Sequence, residues 1–95
     1  MNTSIMKKRK IYVLVYDWVT MYDGSDIGIQ IFRTKAEARK AMNEAYRGAK
    51  KDMIDNHCRE CVVCTKTKDF ACVELDGRFC ECHDRWAIVE QEIDW

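Results

Sequence analysis

Two segments near the start of the chain carry apolar side chains with a period of two, the spacing that places successive residues on opposite faces of a strand. Residues 11–20 are apolar at both phases of this alternation, which predicts a strand with two apolar faces. Residues 27–33 carry isoleucine at every second position at first, and the preceding residues 23–26 (Asp-Gly-Ser-Asp) have strong turn chemistry. The pattern therefore predicts an antiparallel hairpin.

The period then changes to that of a helix. Thr34 and Glu37 fit a capping box, so the helix is predicted to begin there and to end near Asn56. Its apolar residues draw a single stripe at helical spacing, and the alanines among them favour close approach to a sheet. The residues of this stripe are Ala38, Met42, Ala45, Ala49 and Met53.

A second hairpin is predicted later in the chain. Residues 70–75 and 78–82 flank Asp76 and Gly77, a dipeptide that favours a two-residue turn, and residues 86–93 alternate as a last strand. The predicted fold class is α+β, with the order β-β-α-β-β-β. We expect an antiparallel sheet of four to five strands, one long helix on one face, and a cysteine-rich insertion after the helix. Residues 1–10 are predicted to be a flexible basic tail and residues 11–95 a single α+β domain.

The two faces of the first hairpin differ in character. If the helix covers the face that bears Ile11, Val13, Val15 and the three isoleucines of the second strand, an aromatic face is left over. Such a face is typical of a protein-binding or dimer surface, unless residues 57–69 fold over it. The predicted protein-binding residues are Tyr12, Tyr16, Trp18 and Phe32.

Charge and hydropathy narrow the range of partners. The 95 residues contain 16 Lys and Arg against 16 Asp and Glu, which removes the cationic field on which sequence-independent nucleic-acid binding depends. No segment approaches the run of about 20 apolar residues that a membrane span needs, and no signal-peptide cleavage site follows the basic start. We therefore expect a cytoplasmic protein with a protein partner, a homodimer being one form of this, rather than one that binds nucleic acid or a membrane.

All six cysteines lie between positions 58 and 82, and a histidine flanks the group at each end. In a reducing cytosol such clustering favours metal binding over permanent disulfides, and a two-residue spacing lets one turn present two thiolates to one ion. The prediction is a structural zinc site. Reduced thiols without metal, disulfides and an iron–sulfur cluster remain alternatives. The predicted ligands are Cys58, Cys61, Cys80 and Cys82, with Cys64, His83 and His57 as substitutes.

No set of residues in the sequence indicates a particular enzymatic reaction. A thiol redox enzyme needs its Cys-x-x-Cys at a helix N-terminus, where the helix dipole lowers the thiol pKa, whereas here the first such pair, at Cys58, follows the predicted helix. The sequence therefore predicts a non-enzymatic protein without catalytic residues.

Four segments, residues 11–17, 32–38, 76–78 and 86–90, match a known pattern in this order of elements. On these segments the chain resembles small uncharacterised proteins of phages and mobile elements of gut-type bacteria. The resemblance implies a cytoplasmic setting in a bacterial host, where small non-enzymatic proteins block a defence or regulatory complex by occupying a surface. It favours an inhibitor or adaptor. The alternatives are a zinc-stabilised nucleic-acid module using residues 7–10 and 33–47, and a thiol or metal enzyme.

Overall fold

The computed structural model describes residues 8–20, 24–76 and 82–94. They form a five-stranded antiparallel sheet and one long helix, which confirms the α+β class and the order β-β-α-β-β-β. The strands lie side by side in the order β2-β1-β5-β4-β3, so β2 and β3 are the two edges of the sheet. The elements are β1 (Lys8–Thr20), β2 (Gly24–Phe32), α1 (Lys35–Asn56), a short 3₁₀ helix (Arg59–Cys61), β3 (Val62–Lys66), β4 (Phe70–Leu75) and β5 (His83–Asp94).

The predicted bounds of α1 are confirmed. Thr34 is the N-cap, and its Oγ1 accepts a hydrogen bond from the Glu37 backbone N–H at 3.1 Å. The Thr34 hydroxyl in turn donates to Glu37 Oε1 at 2.9 Å, so the Glu37 carboxylate is held by the side chain of the cap. Within the described part of the chain, no helix combines the length and hydrophobicity that crossing a membrane requires.

The helix packs against the face of the sheet that carries the even-numbered residues of β1 and β5, which we call the inner face. Met42, fully buried, contacts the core formed by the sheet, and Arg39 Nε donates to Asp69 Oδ1 at 2.9 Å. This hydrogen bond lowers the pKa of the Asp69 carboxyl. The buried core residues are Leu14, Met42, Ala71, Val73 and Trp86.

One arrangement considered from the sequence places α1 over the isoleucine face, but α1 does not cover that face. The isoleucines of β2 point to the opposite side of the sheet, which we call the outer face, and there they remain about two-thirds exposed. The physical reason is that Leu14 and Trp86 offer larger, continuous apolar contacts to the helix on the inner face.

The strands after the helix also differ from expectation. Val62–Lys66, within the cysteine-rich segment, forms strand β3 and pairs with β4. On its other side β4 pairs with β5, with Phe70 opposite Ala87 and Glu74 opposite His83. The Leu75 N–H donates to the Cys82 carbonyl at 3.0 Å, so the chain turns back after β4 as predicted. The predicted register is wrong, because a two-residue turn at Asp76 and Gly77 would pair Phe70 with His83 instead of Ala87. Residues 77–81 lie outside the described chain.

Candidate protein-binding site

The four aromatic residues predicted to bind protein lie on the inner face, beside or beneath α1. Tyr16 and Phe32 pack against the core, and Lys35 Nζ lies 5.8 Å above the centre of the Tyr12 ring. Trp18 is half-buried near the far end of β1. The structure thus covers part of this face with the helix, and leaves Tyr16 as the member of the set that lines an open groove.

That groove, of about 800 Å³, runs between α1 and the edge strand β2. Its floor consists of Leu14, Tyr16 and Trp86. It stays open because the residues that face each other across it are small. Gly28 of β2 presents no side chain, and a Cβ at Gly48 of α1 would have no neighbour within 4 Å. The volume is within the range of ligand-binding clefts.

The aromatic floor of the groove is fixed in position. The rings of Tyr16 and Trp86 stack with centroids 5.1 Å apart and planes 18° from parallel. The Tyr16 hydroxyl donates to Asp84 Oδ1 at 2.7 Å. Burial, and then this bond to a carboxylate, raises the pKa of Tyr16 well above its usual value, so the hydroxyl stays protonated and keeps its role as donor.

The rim of the groove is acidic. Glu44 and Asp52 project from α1 about two turns apart, Asp84 lies on β5, and His57 stands at the end of the helix. Among the described residues that line the groove there is no lysine or arginine. An apolar floor below a carboxylate rim suits a side chain with an apolar stem and a cationic head.

The strand that forms one wall of the groove is an open edge of the sheet. β2 is 9 residues long, and each residue from Gly24 to Ile31 is exposed. It contains no lysine, arginine or proline, the residues with which proteins commonly protect an edge against pairing. The opposite edge, β3, is only 5 residues long and ends in a lysine. β2 is therefore the longer of the two edges and the one without a basic residue.

The predicted metal ligands are distributed over several places. Cys58 and Cys61 form a disulfide just after α1, Cys80 lies outside the described residues, and Cys82 and His57 line the groove. Disulfide sulfurs do not act as thiolate ligands, so zinc binding by Cys58 and Cys61 needs their reduced form. Within the described chain no three His, Cys, Asp or Glu side chains are grouped as a metal site. The zinc site stays a prediction.

The remaining candidate ligands have other partners. His83 Nε2 lies 2.9 Å from Asp17 Oδ1 on the outer face, where Arg85 also contacts Asp17. Cys64 is exposed on β3, beside Tyr46, whose pKa is raised by burial and then by this neighbouring thiol. These contacts place His83 and Cys64 on different faces of the sheet.

The thiols should differ strongly in reactivity. Burial, followed by the charge of Glu74, raises the pKa of Cys72, whereas Cys64 is exposed. Because the thiolate is the nucleophile, we expect iodoacetamide at pH 8 to modify Cys64 at least about tenfold faster than Cys72. Peptide mass mapping after timed quenching measures both rates in one sample. Equal rates in the folded protein, with equal rates also in urea, would contradict the burial of Cys72.

Comparisons with known proteins do not identify a family for this chain. No protein-family model matches the chain, and no match was found among curated proteins or solved structures. The interpretation of the site therefore depends on its residues alone.

Sequence reasoning missed the groove residues on α1 and β2. Ala45 and Ala49 were assigned to the buried stripe, yet Ala45 is exposed and both line the groove. One signal was available. On β2 the residues that alternate with the isoleucines are Gly24, Asp26, Gly28 and Gln30, which are small or polar and so cannot fill the space below a helix.

Proposed function

We propose that this chain is a non-enzymatic protein-binding protein that takes up an extended segment of its partner as an additional strand on β2. The single observation that supports this most directly is that an open edge strand without lysine, arginine or proline forms one wall of an acidic groove with an aromatic floor. In strand addition, main-chain hydrogen bonds supply affinity, and pockets for alternate side chains supply specificity.

The direction of the backbone groups on β2 supports this proposal. In β5 the backbone N–H of Ile88 donates to the backbone carbonyl of Asp69, so the even-numbered residues of β5 form their backbone hydrogen bonds on the β4 side. Because successive residues of a strand alternate, the odd-numbered residues of β5 form theirs with β1. The even-numbered residues of β1 then form their backbone hydrogen bonds with even-numbered residues of β2. The backbone N–H and C=O groups of Ile27, Ile29 and Ile31 therefore point toward the open edge. The Ile27 N–H is already bonded to Asp26 Oδ1 at 2.8 Å. An added strand would therefore pair with Ile29 and Ile31, beside the groove.

The two faces of such a strand meet different surroundings. Its inward side chains would enter the groove, where an arginine could extend over Gly28 toward Tyr16 and reach Glu44 or Asp52. Its outward side chains would continue the row of isoleucines on the outer face. The ligand chemistry that fits is an extended segment in which basic residues alternate with β-branched apolar residues.

An inhibitor or adaptor from a phage or mobile element, the role implied by the resemblance, acts in this way by occupying a surface without turnover. The proposal needs no bound zinc. A partner that supplies the segment would be a protein of a host defence or regulatory complex.

The test uses a short fluorescein-labelled peptide that alternates arginine and valine. We expect a rise in fluorescence anisotropy with a Kd in the micromolar range, weakened by salt. Combined Glu44→Lys and Asp52→Lys substitutions should weaken binding about tenfold, because two attractive charges become repulsive. A peptide of the same composition with its arginines and valines in separate blocks controls for bulk charge.

Backbone methylation separates strand addition from side-chain binding alone. One peptide carries N-methyl groups on its arginines and a second carries them on its valines, so that only one of the two blocks the hydrogen bonds to β2. We expect one methylated peptide to bind at least about tenfold more weakly than the other. Equal affinities for the two methylated peptides, or for the alternating and block peptides, would refute the proposal.

A further inference from the structure

The large apolar side chains that the structure leaves exposed are all on the outer face. Across the described chain, Ile27 is 67% exposed, Ile29 64%, Ile31 65%, Val89 48% and Val63 44%. The strand register places each of them on the side away from α1. Isolated apolar residues are common on protein surfaces, whereas a set confined to one face of one sheet marks an interaction surface.

In β2 the exposure of the isoleucines follows from the alternation of apolar and polar residues along the strand. Antiparallel strands with one solvated face place their polar residues toward water and their apolar residues toward the core. In β2 the order is reversed: small and polar residues face the helix side of the chain's own fold, and isoleucines face away from it. The alternation fits a second apolar layer on the outer face.

Three of these exposed residues, Ile29, Ile31 and Val89, belong to a continuous apolar patch across neighbouring strands. Val15 lies between Ile29 of β2 and Ala87 of β5, and Phe70 of β4 pairs with Ala87. The next row consists of Ile31, Val13 and Val89. Cross-strand neighbours lie about 5 Å apart, so the patch has no polar interruption over these rows.

The charges at the end of this patch are neutralised within the chain. Asp17 faces outward beside Val15, and it contacts Arg85 Nη2 at 3.0 Å and His83 Nε2 at 2.9 Å. A carboxylate that already has two partners is less costly to cover than an unpaired one. The outer face therefore has an apolar centre and a polar margin that contains the paired Asp17 and the exposed carboxylate of Glu74. A polar rim around an apolar centre is the arrangement found in protein interfaces.

We propose that the outer face packs against the outer face of a second copy of this chain, forming a symmetric dimer of two facing sheets with the helices outside. The available area supports this partner. Five strands about 4.8 Å apart, with an average of about nine residues at about 3.3 Å each, give a face of about 700 Å² per copy. Stable interfaces bury about 800 Å² per partner, and a twofold axis lets the same patch serve both copies.

Face-to-face packing leaves the edge of each sheet open. The dimer would thus present two β2 edges and two grooves, which allows bivalent capture of a partner that offers two segments. This inference is independent of the proposed peptide site, since a monomer could bind one peptide in the same way.

Sedimentation equilibrium of the full chain tests the proposal. We expect the wild type to have twice the monomer mass of 11.2 kDa at tens of micromolar, and Val89→Lys to have the monomer mass, because it places a charge in the centre of the face. Gln30→Lys is the matched control, since Gln30 lies at the edge of the sheet on the inner face. It should stay dimeric. Circular dichroism establishes that both variants are folded.

Three results would overturn the proposal. One is a monomeric wild type at these concentrations. Another is a dimer that Val89→Lys leaves intact. The third is a dimer that both Val89→Lys and Gln30→Lys disrupt, because the loss would then not be specific to the outer face. Peptide anisotropy measured on the monomeric Val89→Lys variant keeps the two proposals distinct. An unchanged peptide affinity would show that the monomer binds the peptide, so the peptide site would stand whatever the oligomeric state.

Discussion

Replacing Trp86 by alanine should lower the free energy of unfolding by about 3–5 kcal/mol, the range observed when a buried tryptophan is truncated. Only 4% of Trp86 is exposed. Its ring stacks on Tyr16 of β1 and meets the edge of Tyr46 of α1 at 6.4 Å, so one side chain joins two strands to the helix. The loss would be a large part of the stability of a domain of this size.

Urea denaturation followed by far-ultraviolet circular dichroism measures this effect. Gln91→Ala, an exposed position of the same strand, is the control and should change the free energy of unfolding by no more than about 0.5 kcal/mol. Trp86→Phe should retain part of the stability, because it keeps a ring against Tyr16. A cost for Trp86→Ala no larger than that of the control would show that this residue is not at the centre of the core.

Leu14→Ala should destabilise the protein by about 2–5 kcal/mol, whereas Val13→Ala, one residue earlier, should cost about 1 kcal/mol or less when measured at concentrations low enough to keep the chain monomeric. Leu14 is 3% exposed on the inner face, and Val13 points to the outer face. Neighbouring residues of one strand have the same local backbone, so the difference reports which face α1 covers. A larger cost at Val13 would reverse the assignment of the two faces.

Local signals in the sequence were sufficient for the elements with strong start and stop chemistry. Thr34 and Glu37 set the beginning of α1, and the helical period continued to its end at Asn56. β1 begins at Lys8, three residues earlier than predicted, because the basic residues there resemble a tail. The turn before β2 was placed slightly late: the strand already begins at Gly24, which has a φ of +88° that glycine tolerates.

The pairing of the later strands needed information that adjacent residues do not contain. Asp76 and Gly77 favour a two-residue hairpin turn, which would place Phe70 opposite His83. In the sheet Phe70 lies opposite Ala87, and Val62 to Lys66 forms the other neighbour of β4. In the same way, the cysteine spacing is compatible with metal binding or with a disulfide. The fold joins Cys58 to Cys61 across a 3₁₀ turn.

The sequence by itself determined that this chain forms one helix and an antiparallel sheet, since capping residues and hydrophobic period act over a few neighbouring positions. Only the tertiary structure decided which face of the sheet the helix covers and which strand is left as an edge. β1 is apolar on both faces, so its own pattern is compatible with a helix on either side. The choice was made by side chains distant in sequence, above all Met42 and Trp86, whose packing on Leu14 leaves the isoleucines and the groove exposed.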